Sequence, residues 1–205
     1  MSKIIKDALA LTAITLVIGL LLGVVYEVTK EPIAQQEVKA KQEACVEVFP
    51  EADSFEAVDL RESADTFRKA LDEAGYQAQT VDEVYQALDA SGEVAGYVIT
   101  VTSSEGYGGD IQFSMGVSMD GTTLGISFLS ISETAGLGMN ADTESFRDQF
   151  KDQNVSEFSY SKTGASAEGE IDALSGATIT TNAVTNGVNA GLCAFRVLSE
   201  GGIGG

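Results

Sequence analysis

Hydroxyls, carboxylates and glycine-rich turns are the groups through which this chain can do chemistry. The sequence holds no histidine, and its only cysteines are Cys45 and Cys193. Two distant cysteines cannot supply the four thiolates of an iron–sulfur cluster, a C-x-x-C-H haem site or a zinc site of the usual kind. A Ser-His-Asp triad is excluded too. Any electron transfer by this chain must therefore use an organic cofactor. Cys45 and Cys193 can form a disulfide on the oxidising side of a membrane, or stay as small buried apolar residues. Three stretches stand out. Asp172-Ala-Leu-Ser-Gly-Ala-Thr178 is a short apolar run broken at Ser175-Gly176, and Ile179-Thr180-Thr181 continues it with further hydroxyls. Gly106-Tyr-Gly-Gly109 offers backbone freedom and close approach between two candidate strands. It is no dinucleotide fingerprint, because it lacks G-x-G-x-x-G and no helix follows. Glu133-Thr-Ala-Gly-Leu-Gly138 reads as a turn ahead of a short helix.

Regular elements must hold these stretches. Val184, Val188, Leu192 and Phe195 recur at helical spacing, which predicts a helix starting near Thr180 or Thr181 with one of them as N-cap. The pattern there is strand, turn, capped helix. Upstream, Thr80 to Leu88 and Val94 to Val101 are strand candidates separated by the turn Asp89-Ala-Ser-Gly92. Ile111, Phe113, Met115, Val117 and Met119 alternate strictly, predicting a strand with one buried face. Asp120-Gly121 is a hairpin signal, and Leu124, Ile126 and Phe128 begin the partner strand. Short helices are expected at Ala64 to Ala74, closed by Gly75, and at Thr143 to Phe150. Phe158 to Lys162 is a further strand, and Thr163 to Gly169 a small polar loop. Antiparallel strands interrupted by helices define an α+β domain.

The N-terminus has another composition. Ala8 to Tyr26 contains no charged residue. At 1.5 Å per residue that run is about 28 Å long, close to the hydrocarbon thickness of a bilayer. No small-x-small cleavage site follows it, so it reads as one uncleaved transmembrane helix. Lys3 and Lys6 before it favour a cytoplasmic N-terminus, although Lys30, Lys39 and Lys41 follow. Thr12, Thr15, Gly19 and Gly23 form a line of small residues that lets another helix approach. Pro32 suits the first turn of a second, charged helix from Ile33 to Val48, ended by Phe49-Pro50. The expected division is 1–27 for the N-terminal segment and transmembrane helix, 28–50 for a membrane-proximal helix, and 51–205 for an extramembrane domain. The net charge is −19, with 31 acidic residues against 12 basic ones. That balance argues against nucleic acid as a partner, since little is available to neutralise phosphates.

Asp-x-x-Ser-Gly-Ala-Thr at 172–178 resembles the flavinylation motif of the FMN-binding domain family. Gly106-Tyr-Gly-Gly109 and Glu133-Thr-Ala-Gly-Leu-Gly138 resemble two further motifs of that family, in the same order. Ala135 stands where proline is common, which bears on loop rigidity. With the N-terminal anchor, the resemblance covers essentially the whole chain. The family includes the G subunit of the Rnf complex and the C subunit of the sodium-pumping NADH:quinone reductase, and chain length brings this sequence nearer the Rnf subunits. The resemblance implies FMN attached as a phosphoester to Thr178, within a motif that includes Asp172, Ser175, Gly176 and Ala177. It implies that Thr134 and Leu137 lie against the flavin, as a hydrogen-bond donor and an apolar wall, beside Glu133, Gly136 and Gly138. Tyr107 and Gly108 belong to the glycine loop, and Lys162 is a candidate cation near the flavin's polar edge. No metal and no catalytic acid or base is implied. The expected partners are the other membrane and peripheral subunits of an Rnf complex, and a flavin transferase using FAD and magnesium during maturation. The expected place is the inner or cytoplasmic membrane, with the domain on its outer face. The alternatives are the sodium-pump C subunit and a single-span ligand-binding or sensor ectodomain without redox function.

Overall fold

The computed structural model describes residues 3–61 and 63–202. The chain forms two compact units, Met1–Ala40 and Lys41–Gly205.

In the first unit lies most of helix α1, which runs from Lys3 to Val48. It contains the one stretch among the described residues long and apolar enough to cross a membrane. Its polar side chains there are satisfied within the helix. Thr12 and Thr15 donate to the carbonyls of Ala8 and Leu11 at 2.9 and 3.1 Å. Such back-bonding removes the cost of an unpaired hydroxyl in an apolar medium. A Cβ built on Gly19 or Gly23 meets nothing within 4 Å, so the small-residue line is open. The expected break at Pro32 does not occur: α1 passes through it. Proline removes one donor and crowds the carbonyl four residues back, at a cost of about 3 kcal/mol. The helix-forming residues on both sides carry the ladder across that single defect.

The second unit takes in the last turns of α1 and is built on an antiparallel sheet of order β1-β2-β3-β4-β5. Its strands are β1 (Ser54–Ala57), β2 (Gln79–Leu88), β3 (Val94–Ser103), β4 (Ile111–Ser118) and β5 (Thr123–Ser130). Strand β1 has no counterpart among the expected elements, because only Phe55 of its four residues is large and apolar. Helix α2 (Ala64–Ala74) ends at Gly75 in the left-handed conformation, as expected. Beyond β5 come a 3-10 turn (Gly138–Asp142), the short helix α3 (Glu144–Arg147) and a second 3-10 turn (Asp148–Phe150). The parallel pair β6 (Ser159–Ser161) and β7 (Glu170–Asp172) precedes the long helix α4 (Thr178–Val197).

Two apolar clusters sit on the sheet. Phe113, Met115 and Val117 of β4 pack with Phe67 and Leu71 of α2 and with Val184, Val188 and Leu192 of α4. Cys45, Val48 and Phe49 pack with Ala87 and Val98 in the second cluster. Strand β4 therefore differs from the expectation of one buried face: its polar and small positions Ser114 and Gly116 are buried as well. The end of α1 covers them. A Cβ on Gly116 would lie 2.2 Å from the Val48 carbonyl oxygen. The buried Ser114 and Thr100 hydroxyls share a hydrogen bond at 2.9 Å. The cysteines are both free and belong to different clusters. Burial pushes the Cys45 thiol up to about 11 and also raises that of Cys193. Both are small buried residues of the core.

Helix α4 is buried along most of its length, and its glycines mark close approach. A Cβ on Gly187 would meet the Phe113 ring at 2.9 Å. Asn189 is buried but fully used: its Oδ1 accepts from the Phe158 N–H at 2.7 Å and its Nδ2 donates to the Phe158 carbonyl at 2.9 Å. That pair of bonds holds the chain entering β6 against α4, and so fixes where β7 delivers the residues before Thr178.

Candidate functional site

Three loops converge beside the first turn of α4. Each is held by identifiable bonds. The loop between β3 and β4 begins at Glu105, whose Oε2 accepts from Gln79 Nε2 and from Asn186 Nδ2, both at 2.7 Å. Glycine is required at its centre: a Cβ on Gly108 would lie 2.0 Å from the Ser132 carbonyl oxygen. The Gly108 N–H donates to Glu133 Oε1 at 3.1 Å. The second loop, after β5, places Glu133 between the first loop and α4. Its Oε2 accepts from the Thr180 hydroxyl at 3.0 Å. The loop then folds into the 3-10 turn, with the Leu137 and Met139 N–H groups both donating to the Thr134 carbonyl at 3.1 Å.

The third loop leads from β7 into α4. Gly176 has φ +73°, the left-handed region, and the Ala177 N–H closes a turn on the Leu174 carbonyl at 3.1 Å. Helix α4 begins at Thr178, with Ala177 at the N-cap position and no side-chain cap. The expectation of Thr180 or Thr181 as N-cap is thus corrected. The Thr181 hydroxyl lies inside the helix, where it accepts from the Leu174 N–H and donates to the Ala177 carbonyl, each at 3.0 Å. It stitches the turn to the helix from within, and the chain coils two to three residues earlier than the apolar spacing indicates. The N–H groups of the first turn have no carbonyl four residues back and receive no cap, so they remain available to an acceptor.

Between the loops lies a cleft of about 570 Å³. Tyr107, Glu133, Thr134, Leu137, Gly138, Gly176, Ala177 and Thr178 line it, together with Ile179 and Thr180. Tyr107 and Ile179 are 71% and 52% exposed, and Leu137 is 43% exposed. Three large apolar side chains left this open around one recess offer walls to a flat aromatic group. The hydroxyls of the motif have different surroundings. Those of Thr180 and Thr181 are engaged as described. Thr178 lines the cleft, and its hydroxyl has no hydrogen-bond partner among the described residues. Ser175 faces a different recess, beside Asn140, Thr143 and Gln149.

Most of the expected site residues therefore meet in one place. Gly108 supports the cleft from behind through Glu133, whereas Gly136 is a left-handed turn residue at φ +76° that does not line it. Asp172 and Lys162 do not line it. Asp172 Oδ1 accepts from the Ala165 N–H at 2.5 Å, and its backbone N–H donates to Gln149 Oε1 at 2.6 Å, so it organises the loop ahead of the turn. Lys162 is exposed just after β6, outside the cleft. Ile179 and Thr180 line the cleft but were not among the expected binding residues. An isoleucine at the second position of a helix, next to a threonine, carries no local signal of its surroundings.

A recess with apolar walls beside an uncapped helix start offers the kinds of contact that a phosphate-bearing aromatic ligand uses, and the chain also carries a membrane-length helix. Comparison with known proteins agrees with that class. The family model for the FMN-binding domain matches residues 106–192, and that for the RnfG N-terminal region matches residues 1–48. The G subunit of the Na(+)-translocating ferredoxin:NAD(+) oxidoreductase complex of Acetobacterium woodii is 34% identical over 200 residues, covering 96% of this chain and 94% of that protein. The G subunit of the proton-translocating ferredoxin:NAD(+) oxidoreductase complex of Clostridium ljungdahlii is 30% identical over 178 residues, covering 87% and 84%. A crystal structure of Shewanella oneidensis NqrC superposes with a TM-score of 0.48 at 22% identity, over 58% of this chain and 59% of that one. The chain belongs to the family of G subunits of the Rnf-type ion-translocating oxidoreductase complexes.

Proposed function

We propose that this chain is the electron-carrying G subunit of a membrane-bound, ion-translocating ferredoxin:NAD oxidoreductase complex, and that it holds FMN as a phosphoester on Thr178. Family membership supports the first part, because relatives across its length are named as subunits of such complexes. One observation carries the second. Among Ser175, Thr178, Thr180 and Thr181, only Thr178 both lines the cleft and has a hydroxyl with no partner among the described residues. Attachment follows from that hydroxyl. Thr178 Oγ attacks the phosphorus on the flavin side of the FAD diphosphate, held by a magnesium-dependent transferase. In that step an Oγ–P bond would form, the P–O–P bridge would break, AMP would leave with the bridging oxygen, and the Thr178 proton would pass to solvent. The free N–H groups of the first turn of α4 would hold the phosphate of such an ester. FMN supplies reversible electron uptake, and this chain supplies position and electrostatics. Leu137, Ile179 and Tyr107 would wall the ring, and Thr134 would offer it a hydroxyl. Other subunits of the complex provide the ferredoxin and NAD sites.

Intact mass and in-gel fluorescence of the denatured full chain test this reading. Co-expression with the transferase should give a fluorescent band and the mass of one FMN ester. A host without the enzyme should give neither. A non-fluorescent band of unmodified mass from the transferase host would leave a ligand-binding ectodomain as the better description.

The uncharged run Ala8 to Tyr26, with Lys3 and Lys6 before it, sets the proposed topology: N-terminus in the cytoplasm and residues 51–205 on the outer face, after a membrane-proximal segment at 28–50. A reporter active only outside the cytoplasm, fused after Gly205, should be active. Activity solely from a cytoplasmic reporter at that position reverses the orientation.

A further inference from the structure

Among the residues that line the cleft, Glu133 alone carries a carboxylate. Its carboxylate is held by two neutral donors, the Gly108 N–H on Oε1 at 3.1 Å and the Thr180 hydroxyl on Oε2 at 3.0 Å. No cation pairs with it among the described residues. The backbone closes on it from two sides. A Cβ on Gly138 would lie 2.6 Å from Oε2, and one on Gly106 would lie 3.0 Å from Oε1. The nearby Glu105 is likewise bound only by neutral amides. The sequence thus places a fixed, uncompensated negative charge at the point where the glycine loop meets α4.

We propose that Glu133 does two separable things toward a flavin in this cleft: its paired hydrogen bonds hold the glycine loop to the first turn of α4, and its charge keeps the flavin hard to reduce. This rests on the FMN reading above. Reducing a flavin by two electrons and one proton adds one negative charge to it. A carboxylate fixed nearby, with no counter-ion and partly shielded from water, opposes that added charge. The hydrogen bonds are a matter of reach, and the opposition is a matter of charge, so different substitutions affect each.

Glu133→Gln separates them. The amide oxygen can still accept from the Gly108 N–H, and its NH2 can donate to the Thr180 hydroxyl, which accepts as readily as it donates. Geometry is kept and charge is removed. Glu133→Asp keeps the charge but is one methylene short of spanning both donors. The full chain, co-expressed with the flavin transferase and purified in detergent, is titrated electrochemically. Flavin loading is read from absorbance per chain. Glu133→Gln should load like the parent and shift the reduction equilibrium about tenfold toward the reduced form, a rise of about 30 mV in the two-electron midpoint. Glu133→Asp should load at least about fivefold less, with the midpoint of its loaded fraction unchanged. A fully loaded Glu133→Gln whose equilibrium moves by less than about twofold, or ~10 mV, overturns the proposal. So does loss of flavin from Glu133→Gln, since the tie would then depend on the carboxylate itself. A parent chain that takes no flavin from the transferase host overturns the FMN reading instead, and the intact mass reports that directly.

Discussion

Thr178→Val yields a folded, colourless chain with no fluorescent band after denaturation. Valine replaces the hydroxyl by a methyl group of nearly the same shape, so the half-buried position at the start of α4 stays filled. The lost oxygen makes no hydrogen bond to the protein among the described residues, and its removal strands no buried partner. The cost in stability is therefore small, about 0.5 kcal/mol or less, as for a surface substitution. The effect on attachment is complete, because no nucleophile remains at that point. Thr178→Ser retains the oxygen and should keep measurable flavin. Ser175→Ala should load close to the parent, since Ser175 faces another recess. Thermal unfolding without flavin, together with intact mass, distinguishes these outcomes. Covalent flavin on purified Thr178→Val would disprove the assignment, and peptide mapping would show which hydroxyl had taken its place.

The second large effect concerns Gly138. A Cβ there would fall 2.5 Å from Thr180 Oγ1, 2.6 Å from Glu133 Oε2 and 2.8 Å from Glu133 Cβ. Alanine at this position pushes apart the two side chains whose bond joins the second loop to α4. Overpacking of this kind costs about 1–3 kcal/mol. At roughly 2 kcal/mol, a domain of this size should lose about 4–8 °C in melting temperature. Flavin loading should fall about tenfold, because the cleft loses its floor. Gly136→Ala is the control two residues away. Its φ of +76° makes alanine strained, but a Cβ there meets nothing within 4 Å. It should cost about 1–2 kcal/mol in backbone strain and leave loading near the parent level. Equal loading by Gly138→Ala and the parent would show that the Glu133–Thr180 contact does not shape the cleft.

Much of the extramembrane fold is legible in local pattern. Period-two alternation marks β4, the Asp120-Gly121 turn marks the hairpin, and Gly75 marks the end of α2, where the structure finds it left-handed. The apolar spacing from Val184 to Phe195 identifies α4. Each of these signals comes from residues within a few positions of one another, and the backbone geometry that answers it is equally local. Local pattern falls short where a distant segment supplies the deciding contact. The second face of β4 is buried by the end of α1, across the whole intervening chain. Helix α4 starts earlier than its apolar spacing because the Thr181 hydroxyl reaches back to Leu174. Strand β1 is a four-residue edge paired to β2, with too few apolar residues to announce itself.

For the site, residue types and their order alone limit the possible chemistry: no histidine, too few cysteines for an iron–sulfur, haem or usual zinc site, an uncharged membrane-length run, and three motifs in the order of the family it resembles. They also mark the positions that need glycine, since no other residue adopts φ +73° at 176 or fits against the Ser132 carbonyl at 108 without strain. Which motif atoms face one another is a property of the packed fold. Packing brings Tyr107, Leu137 and Ile179 to one cleft, leaves Lys162 outside, and turns Ser175 to a different recess. It also occupies the hydroxyls of Thr180 and Thr181 while leaving that of Thr178 without a partner among the described residues. A hydroxyl's availability depends on donors and acceptors brought to it by the rest of the fold. Four hydroxyl residues within seven positions look alike in the chain and differ only once α4 has packed against the Glu133 loop.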